Sequence, residues 1–229
     1  MSRPEILFPL FADLETIEGV GPKTAKAFAG LGIARPKDLL FLLPHSGVDR
    51  ARVASVREAV PPCVVTVEVE VGGHFAPTIK GRPYRVMVRD AALEFQLVFF
   101  HARGDFLQKL LPTGQRRLIS AALELFHGIA QMVHPDHVLR PEEAGELPKF
   151  EPVYPLVAGL TQKLIFKATR AALARMPVLP EWIDGPLLAR EGWPHWQVAI
   201  ETAHAPQSNG DIAPTDPARQ RLAYDELFA

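Results

Sequence analysis

Val64–Val71 reads VVTVEVEV, with Val65, Val67, Val69 and Val71 alternating with Thr66, Glu68 and Glu70. A period of two built on β-branched residues predicts a strand with one apolar face turned to a core. Two stretches of the same texture follow, PYRVMVRD (Pro83–Asp90) and LEFQLVFF (Leu93–Phe100), separated by Ala91-Ala92. DFLQKLLP (Asp105–Pro112) then reads as a short helix. RRLISAALELF (Arg116–Phe126) and GIAQMVHPDHVL (Gly128–Leu139) read as two further strands joined around Gly128. Three strands, a helix and two strands is the order of an OB-fold, and another small barrel fits the same spacing. OB-folds bind oligonucleotides or oligosaccharides across the face of strands 2 and 3 and the flanking loops. The strand 1–2 loop here, GGHFAPTIKGRP (Gly72–Pro83), is long and carries Lys80 and Arg82.

On both sides of this module the hydrophobic period returns to that of helices. The chain therefore divides by texture into a helical region 1–62, the barrel 63–140, and an extended wrap followed by helices over 141–229. The fold class is α+β. In the first region, EGVGPKTAKAFAGLGI (Glu18–Ile33) invites a nucleotide-binding reading. A Walker loop needs G-x-x-x-x-G-K-[ST] after an apolar strand. Here Gly19 and Gly21 are two apart, Pro22 precedes Lys23, and DLETIE leads in. A Rossmann fingerprint would need glycine where Thr24 stands. The stretch instead predicts a helix-hairpin-helix-like unit, with Gly19 and Gly21 in the turn and Pro22 in the first helical turn. Such a turn either offers amides to a DNA phosphate through Gly19, Gly21 and Lys23, or simply reverses the chain.

In the last region PEEAGELPKFEPVYP (Pro141–Pro155) is an acidic, proline-rich connection. Thr161 is a candidate N-cap for TQKLIFKATRAALARMP, and ARQRLAYDELF (Ala218–Phe228) reads as an amphipathic helix. Ending on such a helix, the chain reads as a fragment.

The 229 residues carry 25 Lys and Arg against 26 Asp and Glu, so a nucleic-acid site must be local rather than global. The single cysteine, Cys63, leaves no internal disulfide and suits a reducing cytoplasm. The sequence has neither a signal-peptide pattern nor an apolar run of membrane-spanning length. A soluble cytoplasmic protein is expected.

The pair Phe99-Phe100 is the most informative dipeptide. Leu93, Phe95, Leu97 and Phe99 share the core face of strand 3, whereas Glu94, Gln96, Val98 and Phe100 share the other. Phe100 is therefore expected to point outward, where a ring either stacks on a base or is covered by a neighbouring helix. Lys80, Arg82, Arg85 and Arg89 lie in or beside strand 2, and Arg116-Arg117 open strand 4. Residues 63–140 hold nine basic and seven acidic side chains, a small excess that a solvated face also explains. His127, His134 and His137 with Asp136 lack the partners of a zinc site, so no metal is expected. No nucleophile elbow or paired carboxylate marks a catalytic centre, and no cofactor is expected in this chain.

An ordered series of motifs resembles the N-terminal part of the bacterial branched-DNA helicase family RecG. The series runs GVGPKTA and LGI, DLLFLLP, the strand ending in FF, the turn Leu111–Gly114, QMVHP, PVYP, AHAP and RLAYDELF. The resemblance implies that the barrel is a wedge domain that grips fork junctions and separates strands. It places ATP and Mg2+ in downstream motor domains that this chain lacks, so the chain by itself is expected to catalyse nothing. It implies stacking on bases by Phe100, with Phe106 as the second ring; Lys80, Arg82, Arg85 and Arg89, in or beside strand 2 on the expected binding face, are expected to hold the backbone. Branched DNA and the downstream helicase domains are the implied partners of a monomer acting in repair and recombination. Ala121-Ala122 depart from the family pattern, which expects glycine and then a basic or polar residue. The rival readings are a stand-alone single-strand-binding OB module and a protein-docking scaffold.

Overall fold

A computed structural model describes residues 4–79 and 81–228. They form two compact units, one made of the segments before Val48 and after Glu151, the other of Val48–Glu151. The first unit holds α1 (Phe8–Phe11), α2 (Pro22–Ala29) and α3 (Pro36–Leu40). β1 (Ser46–Asp49) leads into the second unit, which continues with β2 (Arg52–Val53), β3 (Cys63–Phe75), β4 (Tyr84–Arg89) and β5 (Glu94–Phe99). α4 (Gly104–Leu110), β6 (Arg116–Phe126), β7 (Ile129–Val133) and β8 (His137–Leu139) complete it, and β9 (Phe150–Val153) leads out. α5 (Gln162–Leu173), α6 (Gly185–Glu191), α7 (Trp196–His204) and α8 (Pro217–Phe228) return to the first unit.

The barrel closes in the order β3-β4-β5-β7-β6, with β6 pairing back onto β3 from Cys63↔Leu123 to Glu70↔Arg116. β5 and β7 run parallel and the other barrel pairs antiparallel. Closure satisfies backbone groups that an open sheet would leave at its edges. Val65, Val67, Val69 and Val71 are buried as their spacing demands, against Phe95, Leu97, Ile119 and Leu123. Leu107 of α4 and Leu111 just after it join that core. β3 is irregular between Val71 and His74. A Cβ at Gly72 would stand 3.1 Å from the Met87 carbonyl oxygen, so a larger residue would push β4 away.

Two polar-face positions differ from the sequence reading. Thr66 is fully buried, and its hydroxyl donates to Ser120 Oγ at 2.9 Å. Arg50, itself buried, donates to Ser120 Oγ at 3.0 Å and to Asp136 at 3.1 Å, and also pairs with Glu151. The Val48–Arg50 segment thus brings its own polar partners to the second face of β3. Burial pushes the Glu151 carboxyl up, but its hydrogen bond from His137 and the Arg50 charge outweigh this and hold it below the usual range. Val98, expected to face outward, is buried as well.

The β4–β5 connection is fastened by Asp90. Its carboxylate accepts from the N–H groups of Val56, Ala92 and Leu93 at 2.8, 2.8 and 2.9 Å, and from the Ser55 hydroxyl. The Asp90-Ala91-Ala92-Leu93 link is therefore an Asx-type turn rather than a bare two-residue loop.

In the other unit Leu10, Leu14, Ile17, Phe28 and Leu39 share one core with Tyr154, Ile165, Trp196 and Ile200. The regions flanking the barrel in sequence are thus one body. The expected hairpin is present with a reduced first arm: a single 3-10 turn, Leu14–Thr16, precedes the glycines, and α2 follows with Pro22 at its first position. Leu14 and Ile17 of this short arm are nonetheless buried, so it still contributes to the core of the unit.

Candidate nucleic-acid interface

β5 ends at Phe99, which faces Tyr84 across the β4–β5 ladder. Phe99 is buried, and Phe100, one residue on and of opposite parity, is 42% exposed. The ring therefore stands at the end of the outward face formed by Glu94 and Gln96, as alternation requires. The N–H of Phe100 donates to Nε2 of His134 at 3.0 Å instead of to a neighbouring strand. His134 follows β7, and its own N–H donates to the Val98 carbonyl at 2.9 Å. The His134 ring lies 5.8 Å from the Phe100 ring at 35° and 6.1 Å from the Phe99 ring, nearly edge-on. His101 and His134 both adopt left-handed backbone, with φ of 57° and 45°. This is a region that histidine visits more readily than most side chains.

Phe106, in the first half of α4, is 59% exposed. Phe100 and Phe106 line the same cleft of about 660 Å³, with Arg103, Lys109 and His134 also on its walls. The helix supplies this arrangement, because Phe106 and Lys109 are three residues apart and share a face. Asp105 also lines the cleft, yet neither Arg103 nor Lys109 forms an ion pair among the described residues. Both cations are thus available to an anionic ligand beside two exposed rings. α4 was legible as a helix, but Arg103, Lys109 and His101 were not singled out from sequence, and His134 was weighed only as a metal ligand. The i, i+3 pairing of Phe106 with Lys109 was the available signal.

The strand 2 residues are distributed more widely. Arg85 is half-buried on β4, opposite Phe75 on β3 and Val98 on β5. Arg82 is exposed just before β4, in a turn closed by its N–H to the Ile79 carbonyl. Arg89 lies at the far end of β4, five residues or roughly 17 Å from Tyr84. There it faces Glu70 and Glu94 and borders a separate charged depression with Glu68 and Arg116. Arg82 and Arg85 are at the Phe100 end, and Arg89 is not. Lys80 lies outside the described residues. Arg116 pairs with Glu68 at 2.9 Å. Arg117 is buried and donates to the Leu110 carbonyl at the C-terminus of α4, a structural role that charge counting could not reveal.

The glycine turn belongs to the helical unit. Gly19 has φ +86°, whereas Gly21 is extended and Lys23 is exposed. Lys167 comes within 3.9 Å of where a Gly19 Cβ would stand and is paired with Glu18 at 2.9 Å. Lys167, beside Gly19, is therefore already paired. The two other histidines weighed as metal ligands have local partners: His127 stands edge-on to Phe126 at 4.3 Å, and His137 meets Glu151 at 3.2 Å. No helix among the described residues is long and apolar enough to cross a membrane.

The family profile described as the RecG wedge domain matches residues 13–176. The ATP-dependent DNA helicase RecG of Pasteurella multocida (strain Pm70) is 28% identical over 225 residues, covering 94% of this chain and 32% of the relative. The protein of the same name from Thermotoga maritima is 24% identical, covering 96% of this chain and 28% of the relative. The chain thus spans about a third of the length of the curated relatives it matches. Among solved structures, RecG bound to a three-way DNA junction superposes over 96% of this chain and 30% of its own with a TM-score of 0.77. At 23% identity that likeness speaks to the fold, a barrel with the same helical flanks.

Proposed function

The chain belongs to the RecG wedge-domain family, and on that premise we propose that it recognises branched DNA and holds separated strands apart at the junction. The observation that carries the proposal is the cleft in which two exposed rings, Phe100 and Phe106, stand beside two cations, Arg103 and Lys109, that form no ion pair among the described residues. An exposed ring offers an unpaired base a stacking surface worth about 1–3 kcal/mol, whatever the base. The cations, with Arg82 and Arg85 at the same end of β4, supply the backbone attraction that makes such binding salt-dependent. Phosphate contacts position the strand and the rings favour bases already out of the stack, so a junction is preferred over intact duplex. Lys80 and Arg89 extend the backbone-binding set, and Gly19, Gly21 and Lys23 form a second candidate phosphate contact in the helical unit.

In this reading the barrel is the passive part of a helicase. ATP hydrolysis, with its Mg2+, belongs to the two thirds of the relatives that lie outside the match. A motor pulling duplex against this fixed obstacle would break base pairs there and regress a stalled fork toward a four-way junction, in recombination and repair. The chain acts in the cytoplasm as a monomer joined to its motor and hydrolyses no ATP alone.

Fluorescence anisotropy of this chain with a model fork, a linear duplex and a single strand tests the proposal. The fork is expected to bind most tightly, and Phe100→Ala to weaken it by about 1–3 kcal/mol, roughly 5- to 150-fold. Equal affinity for all three DNAs with no effect of Phe100→Ala would refute it. Preference for the single strand over a fork of equal single-stranded content would favour a stand-alone single-strand-binding module.

A further inference from the structure

The end of β5 carries a device that the stacking role of Phe100 does not by itself require. At Phe99 the strand leaves its ladder, and a residue there would ordinarily turn its N–H to water and let its side chain follow the loop. Instead one residue from another strand end holds Phe100 twice. The backbone N–H of His134 donates to the Val98 carbonyl at 2.9 Å, which ties the end of β7 to the end of β5. Its imidazole Nε2 then accepts the Phe100 N–H at 3.0 Å, and its ring lies 5.8 Å from the Phe100 ring at 35°. The same ring stands edge-on to buried Phe99, so it is braced from the core side. To reach this position His134 takes left-handed backbone, φ 45°. A non-glycine residue in that conformation persists only where surrounding contacts over-determine it.

We propose that His134 is a positioning residue for the DNA interface, locking the backbone and ring of Phe100 in the orientation that meets an unpaired base. The inference rests on the functional reading above and adds to it how the ring is kept ready in the absence of DNA. Pre-ordering matters because a free aromatic side chain on a strand end loses rotamer freedom when it stacks, and an ordered one has already lost it. The bond also specifies chemistry: Nε2 must be unprotonated to accept, so the imidazole is neutral with its proton on Nδ1.

His134→Asn is the informative substitution. Asparagine tolerates left-handed backbone, so the fold is kept, but its shorter side chain does not place an acceptor at the Phe100 N–H. In the free protein, hydrogen exchange of the Phe100 amide is expected to accelerate about tenfold while the barrel-core amides of Val86 and Leu97 stay unchanged. His134→Gln, whose carbonyl reaches further, should restore most of that protection. In anisotropy, His134→Asn should weaken fork binding about three- to tenfold in the wild-type background and cause no further loss when Phe100 is already alanine.

Unchanged exchange at Phe100 overturns the proposal, as does an equal loss of binding in both backgrounds, which would make His134 a DNA contact in its own right. If Phe100→Ala alone leaves fork binding intact, the functional reading has failed. The exchange comparison, which involves no DNA, then decides whether His134 positions the ring. If His134→Asn does not fold, His134→Gly, which takes left-handed backbone without strain and has no acceptor, is compared in the same exchange measurement.

Discussion

Replacing Asp90 with asparagine tests whether the turn that joins β4 to β5 is held by a charge. The wild-type carboxylate is almost fully buried and accepts three backbone N–H groups and the Ser55 hydroxyl. Asparagine keeps an oxygen where Oδ1 stands, so Ala92 and Leu93 retain an acceptor. It puts an NH2 where Oδ2 received the Val56 N–H, and that buried donor then has no partner. Two charge-assisted bonds become neutral, each weaker by about 1 kcal/mol, and stranding one buried N–H costs about 1–3 kcal/mol. The expected destabilisation is about 2–4 kcal/mol at pH 7, since such terms do not add fully. Urea unfolding followed by far-UV circular dichroism measures it. Tryptophan fluorescence serves as an internal control, because Trp182, Trp193 and Trp196 all belong to the helical unit.

The pH dependence gives the sharper test. Burial pushes Asp90 up, but the backbone N–H groups and Ser55 outweigh it, so the folded carboxyl titrates below its ordinary value. A depressed folded pKa contributes stability that is present above the unfolded value of about 3.9 and is lost as pH falls through the folded value. The difference between wild type and Asp90→Asn should therefore shrink as pH falls from 5 toward 3. A difference that stays constant across that range would refute the claim that the carboxylate charge, rather than the shape of the turn, holds it.

Other expectations follow from the same structure. Replacing both Arg103 and Lys109 with alanine should reduce the slope of log affinity against log salt by about 1.4–1.8 for fork DNA, as two lost phosphate contacts imply, and an unchanged slope would remove both from the interface. His204 is buried, with its ring nitrogens engaged by Tyr154 and the Leu40 carbonyl. Burial pushes its pKa down, against the Leu40 bond, so the helical unit should lose stability as pH falls below about 6.5, as followed by tryptophan fluorescence. His204→Gln should flatten that part of the profile. Gly19→Ala, at φ +86°, should destabilise the helical unit by about 1–2 kcal/mol by strain alone, and Gly21→Ala, in extended backbone, should do so by less.

Much of the barrel was legible in residue order. Alternating valines in β3 and the paired phenylalanines closing β5 announce strands with one buried face, and Phe100 follows as an outward ring by parity alone. The site was only half legible. Phe106 and Lys109 could be joined by helical spacing, but Arg103, His101 and His134 come from loops and strand ends whose partners are distant in sequence. Arg89 looked equivalent to Arg85, and the strand register separates them. Arg117 looked like surface charge and is a buried cap on α4. Thr66 and Val98 looked outward, because period two reports which residues share a face and not what covers that face.

By itself the sequence determined the local terms: strand or helix from hydrophobic period, the turn residues, and the outward parity of Phe100. These depend on neighbours a few bonds away, and the backbone geometry of a strand or helix translates them directly into a face. Only the tertiary structure decided that β6 returns to β3, that helices from both ends of the chain share one core, and that His134 meets Phe100. Those pairings join residues tens to hundreds of positions apart. Their free energy lies in burial and hydrogen bonds between segments, which no local pattern encodes.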